Sequence, residues 1–275
     1  MRRILYFLAT NAAIMVVVSV VMMFLPAEWR NQNTSFLVMA LVFGFGGSIV
    51  SLLMSKSMAK RSAGVELITE PRNDTEQWLL STVARQAEQA GIGMPEVGIF
   101  YTDQVNAFAT GANKNNALVA VSSGLLKSMT REEAEAVMGH EIAHVANGDM
   151  ITLTLIQGVV NTFVIILARA LALAIDRDGR GFGYMIGYFG GQMVFGFLAS
   201  IIVAAFSRQR EFRADQGGAQ FSSKQNMISA LERLKQGQAG QLPDQLAAFG
   251  INSSVKNLFS THPPLDVRIE ALKNS

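Results

Sequence analysis

Four long stretches with few charges limit what this chain can fold into. The first two are residues 4–25 and 36–54, which carry no charge at all. A helix of about 22 residues is roughly 33 Å long, enough to cross the hydrocarbon core of a bilayer. Only 16% of all residues are charged and half are hydrophobic, whereas soluble domains are roughly 25% charged. We therefore predict an integral membrane protein.

The first two stretches predict a hairpin of two transmembrane helices, residues 1–54. A cleaved signal peptide is the alternative for the first stretch, but the stretch is longer than a usual signal core and no A-x-A-like site follows it before Pro26. The turn between the stretches contains only Arg30 as a basic residue. The other basic residues lie on the outer flanks, at Arg2, Arg3, Lys56, Lys60 and Arg61. The positive-inside rule then places both flanks in the cytosol.

The third and fourth stretches, residues 151–175 and 183–206, predict a second hairpin. Glycines recur at every fourth position of the fourth stretch, a spacing that lets two membrane helices approach closely, at Gly183, Gly187 and Gly191. Polar side chains interrupt the third stretch, at Gln157, Asn161 and Arg169. Because of these interruptions, two buried helices of a soluble domain remain the alternative for this region, residues 151–206.

Two polar blocks, residues 55–150 and 207–275, follow the two hairpins. An even number of crossings places both blocks in the cytosol. The first block predicts a helix over Asp74–Ala90 with Asp74 as N-cap, and also two short strands and a loop, at residues 97–101, 117–122 and 111–116. We therefore predict a mainly α membrane protein with four transmembrane helices and a mixed α+β cytosolic domain.

A five-residue pattern, His-Glu-Ile-Ala-His at residues 140–144, indicates a metal site. Thr130 and Glu133 form a predicted capping box, so that a helix begins near residue 131 and includes the pattern. His140 and His144 then share a helix face and can bind one metal ion, with Glu141 close enough to take a proton from a water at the metal. Such a pattern arises by chance only about 0.0015 times in a chain of this composition. A structural zinc site is the alternative, but it leaves Glu141 without a role.

Glu211 is the predicted third metal ligand. The chain has no cysteine, so that any metal must be bound by His, Asp or Glu. Glu211 directly follows the fourth apolar stretch, and the second hairpin returns the chain to the membrane face near His144. Asp215, four residues later, can accept the second imidazole N–H of a zinc histidine; a carboxylate on the helix surface is its alternative. Two imidazoles and one carboxylate suit zinc, although they also suit other divalent metals.

His262 is the third histidine of the chain, and its role is open at this point. It lies in Thr-His-Pro-Pro at residues 261–264, a segment that is not helical. A third metal ligand, a contact with the substrate or transition state, and a packing histidine are the three possibilities. Arg268 can pair with Asp215 or lie near Glu211, or it can be a solvated helix arginine.

Together these segments resemble the HtpX family, bacterial heat-shock membrane endopeptidases related to the CaaX-processing membrane metalloproteases. The resemblance covers nearly the whole chain. It depends on the order of the apolar stretches and on four motifs, namely Asn-Ala-Phe-Ala-Thr-Gly at 106–111, the histidine pattern followed by Asn-Gly-Asp at 147–149, Glu-Phe-Arg-Ala-Asp at 211–215, and Thr-His-Pro-Pro at 261–264.

The resemblance implies a zincin-like, zinc-dependent endopeptidase of the bacterial inner membrane. Such an enzyme has several membrane crossings and a cytosolic active site, and cleaves misfolded or damaged membrane proteins in quality control and the stress response. The resemblance assigns one zinc ion per chain to His140, His144 and Glu211, with Glu141 as general base. It also implies that an edge strand near residues 117–122 pairs with the substrate backbone and that Asn106 is a further contact.

The expected partners are the lipid bilayer and membrane protein substrates. A net charge of +2 and the lack of a basic patch interleaved with aromatic residues argue against nucleic acid. A membrane adaptor with a structural metal site and a transporter with polar groups inside its spans are the alternative functions.

Overall fold

The computed structural model describes residues 34–178, 181–239 and 260–275, and the predicted first span at residues 4–25 lies outside them. The described elements are α1 (Thr34–Ser62), β1 (Glu66–Leu67), α2 (Asp74–Ala90), β2 (Glu96–Phe100), β3 (Ala107–Asn113), β4 (Asn116–Ser122), α3 (Ser123–Ser128), α4 (Arg131–Asn147), α5 (Asp149–Ile175), α6 (Phe182–Phe221), α7 (Lys224–Ala239) and α8 (Leu265–Lys273).

The chain divides into two compact units. The first contains the described residues up to Ser48 together with Ile156–Ala199, and the second contains Ile49–Leu155 and Ser200–Ser275. Within the described ranges, three helices are long and apolar enough to cross a membrane, namely α1, α5 and α6. Three of the four predicted apolar helices are therefore present among the described residues, but α6 does not end where its apolar stretch ends at residue 206. It continues as one helix to Phe221 and therefore includes the charged residues between 207 and 215.

Helices of the first unit pack through small residues. A methyl group added to Gly187 would lie 2.8 Å from the Cα of Ala172, and one added to Gly191 would lie 2.8 Å from the Cα of Ala168. The predicted close approach along this glycine series is confirmed at both positions. The hydroxyl of Thr162 on α5 donates to the carbonyl of Gly158 at 2.8 Å, so that its polar group is satisfied within its own helix.

A four-stranded sheet in the order β1-β2-β4-β3 forms the centre of the second unit. β4 is parallel to β2 and antiparallel to β3. From Ala117 onward β4 is buried on both faces, as its unbroken apolar run requires of a central strand. The expectation that residues 117–122 form the substrate-binding edge is therefore wrong, because the edge next to β4 is β3.

β3 also corrects the predicted loop at residues 111–116. The strand continues to Asn113, and only Lys114 and Asn115 connect it to β4. Its alanine, glycine and asparagine residues give little strand signal, and its register shifts between Thr110 and Asn113.

Helices α2 and α4 cover the sheet. Their buried side chains, Leu79, Val83, Met138 and Ile142, pack with Val97, Val119 and Val121 of the strands. α2 has the predicted bounds, but its N-cap is Asn73 rather than Asp74, since the Asn73 side chain accepts the N–H of Glu76 at 2.9 Å. α4 begins with the predicted capping box between Thr130 and Glu133. A second apolar cluster joins α8 to α4 and α7 through Ile269, Leu272, Ala136, Met227, Ile228 and Leu231.

Candidate metal centre

Three side chains from two helices of the second unit converge on one point. Nε2 of His140 lies 3.1 Å from Nε2 of His144. Glu211 faces both rings, with Oε2 at 3.5 Å from Nε2 of His140 and Oε1 at 3.3 Å from Nε2 of His144. Only 8%, 12% and 4% of the three side chains are exposed. These atoms form a compact, nearly buried set of two nitrogens and one carboxylate.

The spacing of these atoms fits a zinc ion. Zinc binds histidine nitrogen and carboxylate oxygen at about 2.0–2.2 Å in tetrahedral geometry, which places neighbouring ligand atoms about 3.3–3.5 Å apart. The two nitrogens lie 3.1 Å apart, and the two oxygens of Glu211 lie 3.5 Å from Nε2 of His140 and 3.3 Å from Nε2 of His144, all close to this value. Three protein ligands leave the fourth position of a tetrahedron open, as in catalytic rather than structural zinc sites.

The second nitrogen of each histidine faces a carboxylate. Nδ1 of His140 lies 3.0 Å from Oδ1 of Asp215, the contact expected from the sequence. Nδ1 of His144 lies 2.7 Å from Oδ2 of Asp149, which sequence reasoning did not find. Gly148 ends α4 with φ +67° and turns the chain back, so that Asp149 meets the ring five residues earlier. Each imidazole is held with its Nε2 directed at the common point.

The carboxylates also control the protonation of both rings. Burial alone would lower the pKa of His144, but its hydrogen bonds with Asp149 and Glu211 outweigh this effect and raise the pKa to about 10. Burial opposes protonation of His140 as well, and hydrogen bonds with Asp215 and Glu211 raise its pKa in the same way. A metal ion must therefore displace protons to bind here.

Two glycines let α6 approach α4 closely enough to complete this cluster. A methyl group on Gly217 would overlap the Cβ of Ala143, and one on Gly218 would lie 2.8 Å from the carbonyl oxygen of Ala136. Arg210 further fixes α6, because its Nη1 donates to the carbonyl of Asp149 at 2.5 Å. The glycine pair is a packing signal that reasoning from the sequence did not use.

Glu141 lies beside the edge strand. Its Oε2 accepts the backbone N–H of Ala109 on β3 at 2.8 Å. This N–H lies on the side of β3 that faces away from β4. The hydrogen bond therefore holds the Glu141 carboxylate next to the two histidines. Asn106 directly precedes β3 with an exposed side chain, and its backbone carbonyl accepts the N–H of Ser122 at 2.9 Å.

His262 reaches the cluster from the segment before α8. Its Nδ1 lies 2.7 Å from Oε2 of Glu211, while 61% of its side chain is exposed. Arg208 on α6 holds this segment, since its Nη1 donates to the carbonyl of Ser260 at 2.9 Å. His262 therefore contacts the outer side of a candidate ligand and is open to solvent.

Residues 73–275 match the sequence profile of peptidase family M48. The chain belongs to this family. A relative named Protease HtpX from Stenotrophomonas maltophilia (strain R551-3) is 59% identical over 284 residues, covering 99% of this chain and 98% of the relative. The Protease HtpX homolog of Thiobacillus denitrificans is 57% identical over 288 residues, covering 99% of each.

A solved structure shares the fold of this M48 chain. Ste24p of S. mikatae superimposes with a TM-score of 0.66 at 19% identity, covering 96% of this chain and 64% of that protein. This chain therefore spans less than two thirds of the length of Ste24p. The family and the HtpX relatives confirm the predicted class: the chain is a membrane-bound metalloprotease.

Proposed function

We propose that this M48 chain is a zinc-dependent endopeptidase with His140, His144 and Glu211 as zinc ligands and Glu141 as general base. The observation that carries the proposal is the convergence of the three side chains: the two Nε2 atoms lie 3.1 Å apart, and each lies 3.3 or 3.5 Å from a carboxylate oxygen of Glu211. Chemistry supports zinc, because imidazole and carboxylate donors with one open position suit a catalytic zinc ion. One ion per chain is expected.

Zinc, when bound, supplies a Lewis acid that polarises the scissile carbonyl and lowers the pKa of an attacking water toward about 7. Glu141 takes the proton of that water and delivers it to the leaving amine. The N–H of Ala109 orients the Glu141 carboxylate for both transfers. Asp215 and Asp149 accept the Nδ1 protons of the two histidines and keep their Nε2 lone pairs available.

The substrate backbone binds as an extended strand along the free edge of β3. Strand addition at a sheet edge uses main-chain hydrogen bonds and therefore accepts many sequences, which suits a protease of unfolded segments. Asn106, at the start of β3, lies beside one end of such a strand and is a candidate substrate contact. His262 is exposed next to Glu211 and is a candidate donor to the oxyanion of the tetrahedral intermediate.

The chain crosses the bacterial inner membrane four times, with the active site in the cytosol. The charge distribution of residues 1–61 supports this orientation, and the exposed apolar side chains of α1, α5 and α6 support their contact with lipid. We assign residues 1–54 and 151–206 to two membrane hairpins and residues 55–150 and 207–275 to the two parts of the protease. The substrates are misfolded or damaged membrane proteins, and the physiological role is quality control under stress.

The test is cleavage of an unfolded model protein such as casein by the purified chain in detergent with added zinc. Glu141→Gln should retain zinc and lose activity by about 10²- to 10⁴-fold. Glu88→Gln, an exposed glutamate on α2, is the matched control and should cleave like the wild type. Equal cleavage by wild type and Glu141→Gln would contradict the assigned base. If the protein binds zinc stoichiometrically but neither the wild type nor any variant cleaves casein, the alternative function, a membrane adaptor with a structural metal site, is favoured instead.

A further inference from the structure

Arg268 on α8 is a buried arginine whose guanidinium group faces the metal centre. Only 6% of the residue is exposed. It binds Asp215 through two parallel hydrogen bonds, from Nε to Oδ2 at 2.8 Å and from Nη2 to Oδ1 at 2.5 Å. Such a fork fixes both the position and the plane of a carboxylate, which a single ammonium group does not do.

The same guanidinium group contacts a second carboxylate. Its Nη1 lies 3.4 Å from Oε2 of Glu211, while Oδ1 of Asp215 lies 3.0 Å from Nδ1 of His140. Arg268 therefore touches one candidate zinc ligand directly and reaches another, His140, through the carboxylate that orients its ring.

Attachment of α8 to the protein is a poor explanation for this arrangement. Ile269 and Leu272 already bury the apolar face of α8 against α4 and α7. A buried ion pair adds little net stability over apolar residues of the same size, because both charges lose their hydration. The two hydrogen bonds from Arg268 fix the position and plane of the Asp215 carboxylate, and this is the better explanation for the buried arginine.

We propose that Arg268 is a positioning residue of the metal centre: it fixes Asp215, and through it His140, and holds Glu211 in the ligand arrangement. The proposal rests on the assignment of His140, His144 and Glu211 as zinc ligands. It gives the C-terminal helix a part in the active site, since the helix brings the guanidinium group to α6.

The test compares Arg268→Lys, which keeps the charge and loses the fork, with Arg268→Gln, which loses both. Zinc affinity is measured by chelator competition on the full chain in detergent, and the visible spectrum of the cobalt(II)-loaded protein reports ligand geometry. Both variants should bind zinc about 10- to 100-fold more weakly and show shifted cobalt bands. Ile269→Val, a buried neighbour on the same helix, is the matched control and should keep the wild-type affinity and spectrum.

Wild type and Glu211→Ala are measured first, because failure of the wild type to bind zinc would refute the proposed function and not the role of Arg268. With zinc bound by the wild type, unchanged affinity and cobalt bands in Arg268→Lys would overturn the proposal. An equal loss in Ile269→Val would also overturn it. If neither Arg268 variant folds while Ile269→Val does, Arg268 serves to hold α8 itself and the proposal is wrong.

Discussion

The two units of the chain bury opposite kinds of side chains. In the first unit the fully buried positions include the small residues Ala168 and Ala172, whereas Phe43 is 68% and Met193 77% exposed. The second unit follows the rule of water-soluble proteins, and large apolar side chains such as Leu79 are fully buried. Small buried residues and large exposed ones are typical of helices that pack within lipid, where burial of apolar surface gives no advantage.

The buried polar groups of the two units differ in the same way. In the first unit, Ser48 and Thr162 donate to the carbonyls of Gly44 and Gly158 in their own helices. The second unit buries charged groups that meet across helices, at His140, Glu211, Asp215 and Arg268. The hydrogen bonds of the first unit only satisfy buried hydroxyl groups. The charged groups of the second unit form the candidate metal centre.

The largest effect is expected from breaking that buried charged cluster. Glu211→Ala removes one zinc ligand. Structural zinc sites are worth roughly 10–16 kcal/mol over four ligands, so that one ligand contributes about 2.5–4 kcal/mol, or roughly two to three orders of magnitude in affinity. Chelator competition measures the loss, and Glu88→Ala on the surface of α2 is the control. Wild-type zinc affinity in Glu211→Ala would remove this residue from the site.

A charge placed on an exposed apolar side chain distinguishes the two units. Met193→Asp in the first unit should cost about 2.5–3.5 kcal/mol of membrane insertion. Met94→Asp in the second unit, where 48% of Met94 is exposed, should change stability by less than about 0.5 kcal/mol. Membrane fractionation and the yield of folded protein measure both effects. If Met193→Asp inserts and folds like the wild type, α6 does not face lipid at this position.

A single helix, α6, permits a comparison of two glycines. Gly217→Ala would overlap Ala143 and should lower the free energy of unfolding by about 1–3 kcal/mol, with weaker zinc binding as Glu211 is displaced. Gly196 has open space around it, so that Gly196→Ala should be neutral or stabilising by up to about 1 kcal/mol. Thermal unfolding in detergent tests the pair. Equal stability of the two variants would contradict close packing of α6 on α4.

The smallest expected effect is the release of protons on zinc binding. Burial lowers the pKa of His144, but its hydrogen bonds with Asp149 and Glu211 raise it to about 10, so that His144 is protonated at pH 7 and must lose a proton to the metal. At least one proton per zinc should be released at pH 7, and the number should fall as the pH rises through about 10. Titration calorimetry in buffers of different ionisation enthalpy measures this number. A value near zero at pH 7 would show that the rings are already neutral.

The sequence predicts the convergence of His140, His144 and Glu211 better than it predicts the strands. Histidines four apart on a helix define a metal face whatever the tertiary structure is, and the order of the apolar stretches indicated that Glu211 returns near His144. Asp149 was missed because its contact depends on the left-handed turn at Gly148. β3 was missed because small residues next to an irregular register carry no alternating pattern. If β3 is overlooked, its neighbour β4 is mistaken for the edge of the sheet. This explains the error over residues 117–122.

The most direct test of the proposed zinc site is the position of the metal in a zinc-loaded crystal of the full chain, located by anomalous scattering at the zinc edge. We expect one peak, at about 2.0–2.2 Å from Nε2 of His140, Nε2 of His144 and a carboxylate oxygen of Glu211, with the same peak in Glu141→Gln. A peak at other residues, or no peak in protein that still cleaves casein, would contradict the proposed site.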